Sequence, residues 1–155
     1  MRIVRGDFGD PQVVALLDVH VTTARAKTAH GSAHALDLTA LQSPDIAFWT
    51  TWEGEILLGC GALKRLSATH GELKSMHTAQ AARRRGAGAA MLAHLIAEAR
   101  AAGLTRLSLE TGAWDFFIPA RALYARHGFV ACAPFEGYKP DPNSVFMTQE
   151  LGPQA

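Results

Sequence analysis

Arg83, Arg84, Arg85, Gly86, Ala87 and Gly88 stand together at the start of an alanine-rich helical pattern that runs to Gly103. These residue types at this spacing could bind an anion. A helix N-terminus presents free backbone N–H groups and a partial positive charge. Glycines there permit unusual dihedrals and a close approach to the main chain. Arginines just ahead add forked donors. The stretch reads as a cradle for pyrophosphate. It is not a P-loop, because Ala89-Ala90 follow the last glycine where Lys-Ser/Thr would stand. It is not the dinucleotide fingerprint either, because Met91 occupies the place of the third glycine. A glycine turn beside a solvated arginine run is the plain structural alternative.

Several elements must hold this turn in place. "MRIV" reads as a first strand, and Asp10-Pro11 as a helix start. Val13, Val14, Leu16, Leu17 and Val21 continue that helix as an apolar stripe. "LDLTALQ" predicts a short second helix stopped by Ser43-Pro44. Two β-rich runs flank Glu53-Gly54, a hairpin signal, and Gly59 and Gly61 in the second run mark a bulge or close backbone approach. "GELKSMHT" reads as a strand leading into the glycine turn. Met91, Leu92, Leu95, Ile96 and Ala99 stripe the helix that follows. "TRLSLET" is a strand, "IPARALYARHGF" a short helix, and "FVACAPF" and "SVFMTQEL" the last strands. This order implies a single α/β domain over residues 1–155, with a mixed sheet and helices on both faces.

Bulk properties narrow the classes. The 155 residues are 48% hydrophobic and 19% charged, with a formal net charge of +1. That balance lacks the basic field of a nucleic-acid binder, so no nucleic-acid partner is expected. No run approaches a membrane span, so no membrane association is expected. Two cysteines, Cys60 and Cys132, make no disulfide framework, and a cytoplasmic location is the simplest expectation. His20, His30, His34, His70 and His77 show no metal-ligand spacing, so no metal is expected. Ser75 and the cysteines lack a nucleophile motif with His and a carboxylate.

The glycine turn and a second segment together resemble the GNAT superfamily of acetyl-CoA-dependent N-acyltransferases. The superfamily signature Arg/Gln-x-x-Gly-x-Gly/Ala is matched by Arg83, Gly86 and Gly88, and "ALYARHGF", Ala122 to Phe129, is similar to its A-L-Y-x-x-x-G-F segment. The resemblance covers Glu55 to Leu151 well. It implies a GNAT-like mixed sheet of six to seven strands, splayed at its centre, with acetyl-CoA in the splay. By resemblance, Arg83, Arg84, Arg85, Gly86, Ala87, Gly88 and Ala89 would hold the pyrophosphate. Met76, His77 and Thr78 would pair with the pantetheine arm, and an amide near Met76 or His77 would polarise the thioester carbonyl.

The same resemblance implies transfer of the acetyl group to an amine by direct attack. Tyr124 is the candidate acid for the leaving thiolate. Glu72 is the candidate base, with Glu110 second at the end of the next strand. Glu72, Lys74 and Met76 are expected on one strand face by period two. "FEGYKPDPNSVFM" and "HALDLTALQSPDIAFW" are similar to segments of one group of bacterial small-molecule GNATs. Their positions nominate His34, Asp37, Phe135, Tyr138 and Lys139 as acceptor-side residues. The family's asparagine after the strand ending "SLETG" is absent here. A small-molecule amine is the expected partner, and a homodimer is compatible with this. A protein-lysine or N-terminal acetyltransferase and a non-catalytic acyl-CoA-binding module stand as alternatives.

Overall fold

Asp10 starts the first helix as the sequence implies: its carboxylate accepts the Gln12 N–H at 2.8 Å, with Pro11 in the first turn. The helix, α1 (Pro11–Ala26), buries Val13, Leu16 and Leu17. The computed structural model describes residues 1–29 and 34–152; His30 lies outside them. Six further elements lead to the centre of the sheet and its last helix. They are β1 (Arg2–Arg5), β2 (Ile46–Glu53), β3 (Ile56–Arg65), β4 (His70–Thr78), α2 (Ala87–Ala101) and β5 (Arg106–Gly112). α3 (Ile118–Arg126), β6 (Val130–Cys132) and β7 (Ser144–Glu150) complete the chain.

The strands form one sheet in the order β1-β2-β3-β4-β5-β7-β6. β2 and β3 join through a tight turn in which Gly54 takes a left-handed φ of 60°. β4 and β5 are parallel, and they pair only from His70–Arg106 to Leu73–Leu109. Both strands run on, β4 to Thr78 and β5 to Gly112, without pairing to each other. The sheet therefore opens at its centre. On its other edge β4 stays bonded to β3 as far as Thr78.

Two cores hold this shape. α2 packs Met91, Leu92, Leu95, Ile96 and Ala99 against Leu63, Leu73, Leu107 and Leu109. α1 packs Val13, Leu16 and Leu17 against Phe48, Trp52, Cys60 and Ala62 on the opposite face. Each fully buried leucine removes enough apolar surface to stabilise the fold by about 2 kcal/mol.

Three expectations are corrected. The second helix shrinks to a single 3-10 turn, Ala40–Gln42, because Asp37 caps it from three residues ahead and the chain turns extended at Ser43. The last-but-one strand is only Val130–Cys132. Met76 does not share a face with Glu72 and Lys74. Cys60 pairs with His77 but Ala62 pairs with Lys74, so Gly61 is opposed by both Ser75 and Met76. This bulge turns Met76 over to the α2 core. Ser75 adopts a left-handed φ of 54° to make it. Gly61 tolerates the crowding because a Cβ there would lie 2.8 Å from Met91 and Leu95.

Candidate active site

The turn into α2 is built by backbone hand. Arg84 and Gly86 take φ of 65° and 81°, and no side chain caps the helix. Left-handed residues in such a turn shape a concavity of N–H groups suited to an anion. The Ala90 N–H bonds to the Gly86 carbonyl, so the amides ahead of it are the orphan donors of the helix end. Gly88 stands in a narrow place: a Cβ there would lie 3.3 Å from Thr78 Oγ1 and 3.4 Å from Leu123 Cδ2. These features fit a phosphate group. Arg83 and Arg84 are exposed beside the turn. Arg85 instead pairs with Glu53 of the β2–β3 turn at 2.6 Å.

The gap between β4 and β5 contains a cavity of about 160 Å³. Leu73, Ser75, Met76 and Leu109 line it where the strands part. Tyr124, Ala120 and Phe117 form its α3 side, and His20, Ala24 and Thr28 its α1 side. His34, Glu72, Lys74 and Glu110 supply its charge. The alternation of β5 explains the division. Leu107 and Leu109 enter the α2 core, so Ser108 and Glu110 face the other way.

Tyr124 is 8% exposed, with its ring edge-on to Phe129 at 6.0 Å. Burial pushes its phenol up to about 12, so it keeps its proton at neutral pH. Its hydroxyl makes no hydrogen bond among the described residues.

Glu72 is not a free strand end. It is 2% exposed, and its Oε2 accepts from the Tyr138 phenol at 2.9 Å and from Lys74 Nζ at 3.3 Å. Lys74 also donates to Tyr138 Oη at 2.9 Å and to the His34 carbonyl at 3.3 Å. Glu110 meets His34 instead: Nδ1 lies 2.6 and 2.7 Å from the two carboxylate oxygens. His34, Glu72, Glu110 and Tyr138, separated in sequence, are thus brought to one place.

The remaining acceptor-side nominations divide. Phe135 does not line the cavity; it packs behind Tyr138 at 5.3 Å and against His70 and Phe146. Asp37 is used locally, accepting the Ala40 N–H at 2.8 Å as a turn cap. Lys139 is exposed and is not among the lining residues. Lys74, the residue that links Glu72, Tyr138 and His34, was not nominated as a site residue. Its signal was its place two residues after Glu72 on the same face.

His20 and His77, 57 residues apart, form a pair that no local pattern joins. Their Nδ1 atoms lie 3.0 Å apart where α1 meets β4. Burial, reinforced by the His77 charge, lowers His20 to about 4, and burial likewise lowers His77. Cys60 is sealed in the α1 core and its thiol is pushed up to about 12 by burial, which removes it as a nucleophile at neutral pH. No group of three or more potential metal ligands occurs among the described residues. No helix among them is long and apolar enough to cross a membrane.

Residues 14–129 match the family model described as "Acetyltransferase (GNAT) family". The chain is 48% identical over 151 residues to the uncharacterized N-acetyltransferase YsnE of Bacillus subtilis (strain 168), covering 97% of this chain and 100% of that protein. It superposes with a TM-score of 0.81 and 29% identity on a proposed acyl-CoA N-acyltransferase from Klebsiella pneumoniae, over 97% of each chain. An aminoglycoside 6'-N-acetyltransferase solved in complex with coenzyme A shares the fold at a TM-score of 0.74 and 15% identity, over 100% of this chain and 99% of that one. The open sheet, the glycine turn below it and these likenesses agree: the chain belongs to the GNAT family of acetyltransferases.

Proposed function

We propose that this acetyltransferase moves an acetyl group from acetyl-CoA to a primary amine of a small molecule, by direct attack while both substrates are bound. The observation that carries the proposal is the cavity at the opening of the sheet. It has a protonated phenol on one side and charged acceptor-side groups on the other. Its volume of about 160 Å³ suits a small acceptor better than a folded protein surface.

The donor would lie along the free edge of β4. Beyond Leu73 this edge has no partner strand among the described residues. Met76, His77 and Thr78 can therefore offer main-chain hydrogen bonds to the pantetheine amides, as an added strand would receive them. The amides of Arg84 to Ala89 take the pyrophosphate, with Arg83 and Arg84 adding charge. An amide at Met76 or His77 stabilises the oxygen of the tetrahedral intermediate. The amine nitrogen bonds to the thioester carbon, the C–S bond breaks, Tyr124 gives its proton to the departing thiolate, and the proton lost by the nitrogen restores the phenol. Glu72 serves as the counter-ion of Lys74 and accepts the Tyr138 hydroxyl, rather than acting as a free base.

Calorimetry with acetyl-CoA and CoA at fixed salt is the first test, followed by thiol-release assays across a panel of primary amines. Saturable CoA binding with amine-dependent thiol release is the expected result. Binding without release for any amine would leave an acyl-CoA-binding module. Release with lysine peptides alone would move the acceptor to protein.

A further inference from the structure

His34 is held by three different elements. Its Nδ1 lies 2.6 and 2.7 Å from the oxygens of Glu110 on β5. Its carbonyl accepts from Lys74 of β4 at 3.3 Å. Its ring sits 5.2 Å from that of Tyr138. His34 lies outside any helix or strand, and these contacts fix its orientation. His34 fills no core: its side chain is 37% exposed and it lines the cavity. Glu110 beside it is 10% exposed. Among the described residues, Nε2 of His34 has no partner.

A carboxylate on one imidazole nitrogen settles which nitrogen carries the hydrogen. In the neutral imidazole, Nδ1–H donates to Glu110 and the lone pair lies on Nε2. The carboxylate then stabilises the imidazolium that forms when Nε2 takes a proton, the logic by which a carboxylate supports a catalytic histidine. Glu72 is less suited to the task. It is 2% exposed and its Oε2 already accepts two donors.

We propose that His34 is the proton acceptor of the transfer reaction, with Glu110 as its positioning residue, and that the acceptor enters as a positively charged alkylamine. This inference rests on the acetyltransferase reading of the site. An alkylamine has a pKa of about 10 and arrives as an ammonium ion, and the negative charge of Glu110 favours it at this wall. The ammonium gives one proton to His34 Nε2 and becomes nucleophilic. Its nitrogen bonds to the acetyl carbon and the C–S bond breaks. The second nitrogen proton replaces the one that Tyr124 delivers to the thiolate. His34 returns its proton to solvent, so an ammonium and acetyl-CoA become an amide, CoA thiol and one free proton.

The proposal separates two kinds of nucleophile. An alkylamine needs deprotonation, whereas hydroxylamine is neutral at neutral pH and does not. His34→Ala and Glu110→Gln should each lower kcat for the best alkylamine of the panel by about 10²-fold or more. The hydroxylamine rate should fall far less, and CoA affinity should hold. Added imidazole should restore part of the alkylamine rate to His34→Ala. Equal losses with both nucleophiles and no imidazole rescue would overturn the proton-transfer role and leave His34 a packing residue. A wild-type protein that binds CoA yet acetylates no amine would overturn the acetyltransferase reading itself, and this inference with it.

Discussion

The Tyr138 phenol donates to Glu72 Oε2 at 2.9 Å, across 66 residues of sequence. Lys74 closes the triangle by donating to the same phenol oxygen, also at 2.9 Å. Burial and the adjacent Glu72 carboxylate hold the Tyr138 proton well above the ordinary phenol range. The connection after β6 is thereby tied to the central strand, beneath the acceptor side of the cavity. Tyr138→Phe removes one donor from a buried carboxylate. A hydrogen bond to a charged group contributes about 1.5–3 kcal/mol, so the urea midpoint should fall by the corresponding amount. A variant as stable as the wild type would show that solvent replaces the phenol without cost.

Tyr124 should act on turnover rather than on affinity. Its phenol is buried in the α3 side of the cavity and retains its proton to about pH 12. Tyr124→Phe keeps the ring contact with Phe129 and deletes only the proton donor. An acid of this kind contributes about 10²–10⁴-fold. The expected pattern is a loss of that order in kcat with an acetyl-CoA dissociation constant close to that of the wild type. Parallel losses in both would assign Tyr124 to packing.

Gly86→Asp places a carboxylate at the positive end of the helix, where it competes with the ligand's phosphates for the same N–H groups and repels them. Gly86 has a left-handed φ of 81° and open space where a Cβ would point. Aspartate is among the residues that tolerate this hand, so the variant should fold, and thermal unfolding checks that directly. CoA binding should drop by at least tenfold, and wild-type affinity should itself weaken as salt screens Arg83 and Arg84. Undiminished affinity in a folded variant would place the pyrophosphate elsewhere.

The glycine turn was legible because its signal is local: glycine takes the φ of 81° at position 86 with least strain, and the helical stripe begins directly after it. The succession of strands and helices along the chain followed from alternation and turn residues, whereas the order of the strands in the sheet did not. The bulge was not legible, since Ser75 is not a residue that announces a φ of 54°. Period two therefore carried Met76 to the wrong face. His34 and Glu110 are 76 residues apart, and no local pattern joins them. Asp37 spends its carboxylate on the Ala40 N–H three residues on, a local role that its position in a similar segment does not reveal.

The His20–His77 contact makes stability depend on pH in a stated direction. Their facing Nδ1 atoms are 3.0 Å apart, so one must donate and the other accept. Protonating both sets two N–H groups against each other. Burial lowers His20 to about 4, with the charges of His77 and Lys74 adding to the effect. An unfolded histidine titrates near 6.5, so between these values the unfolded chain binds more protons than the native one. The native contribution is present above about pH 6.5 and is lost as pH falls towards 4. The shift corresponds to a loss of stability on the order of 3 kcal/mol once His20 is forced to take a proton. Urea midpoints measured from pH 7.5 down to about pH 4.5 should fall steeply in the wild type and less in His20→Gln, whose amide can still meet His77 but takes no proton. Identical slopes for the two proteins would show that other groups govern the acid limb.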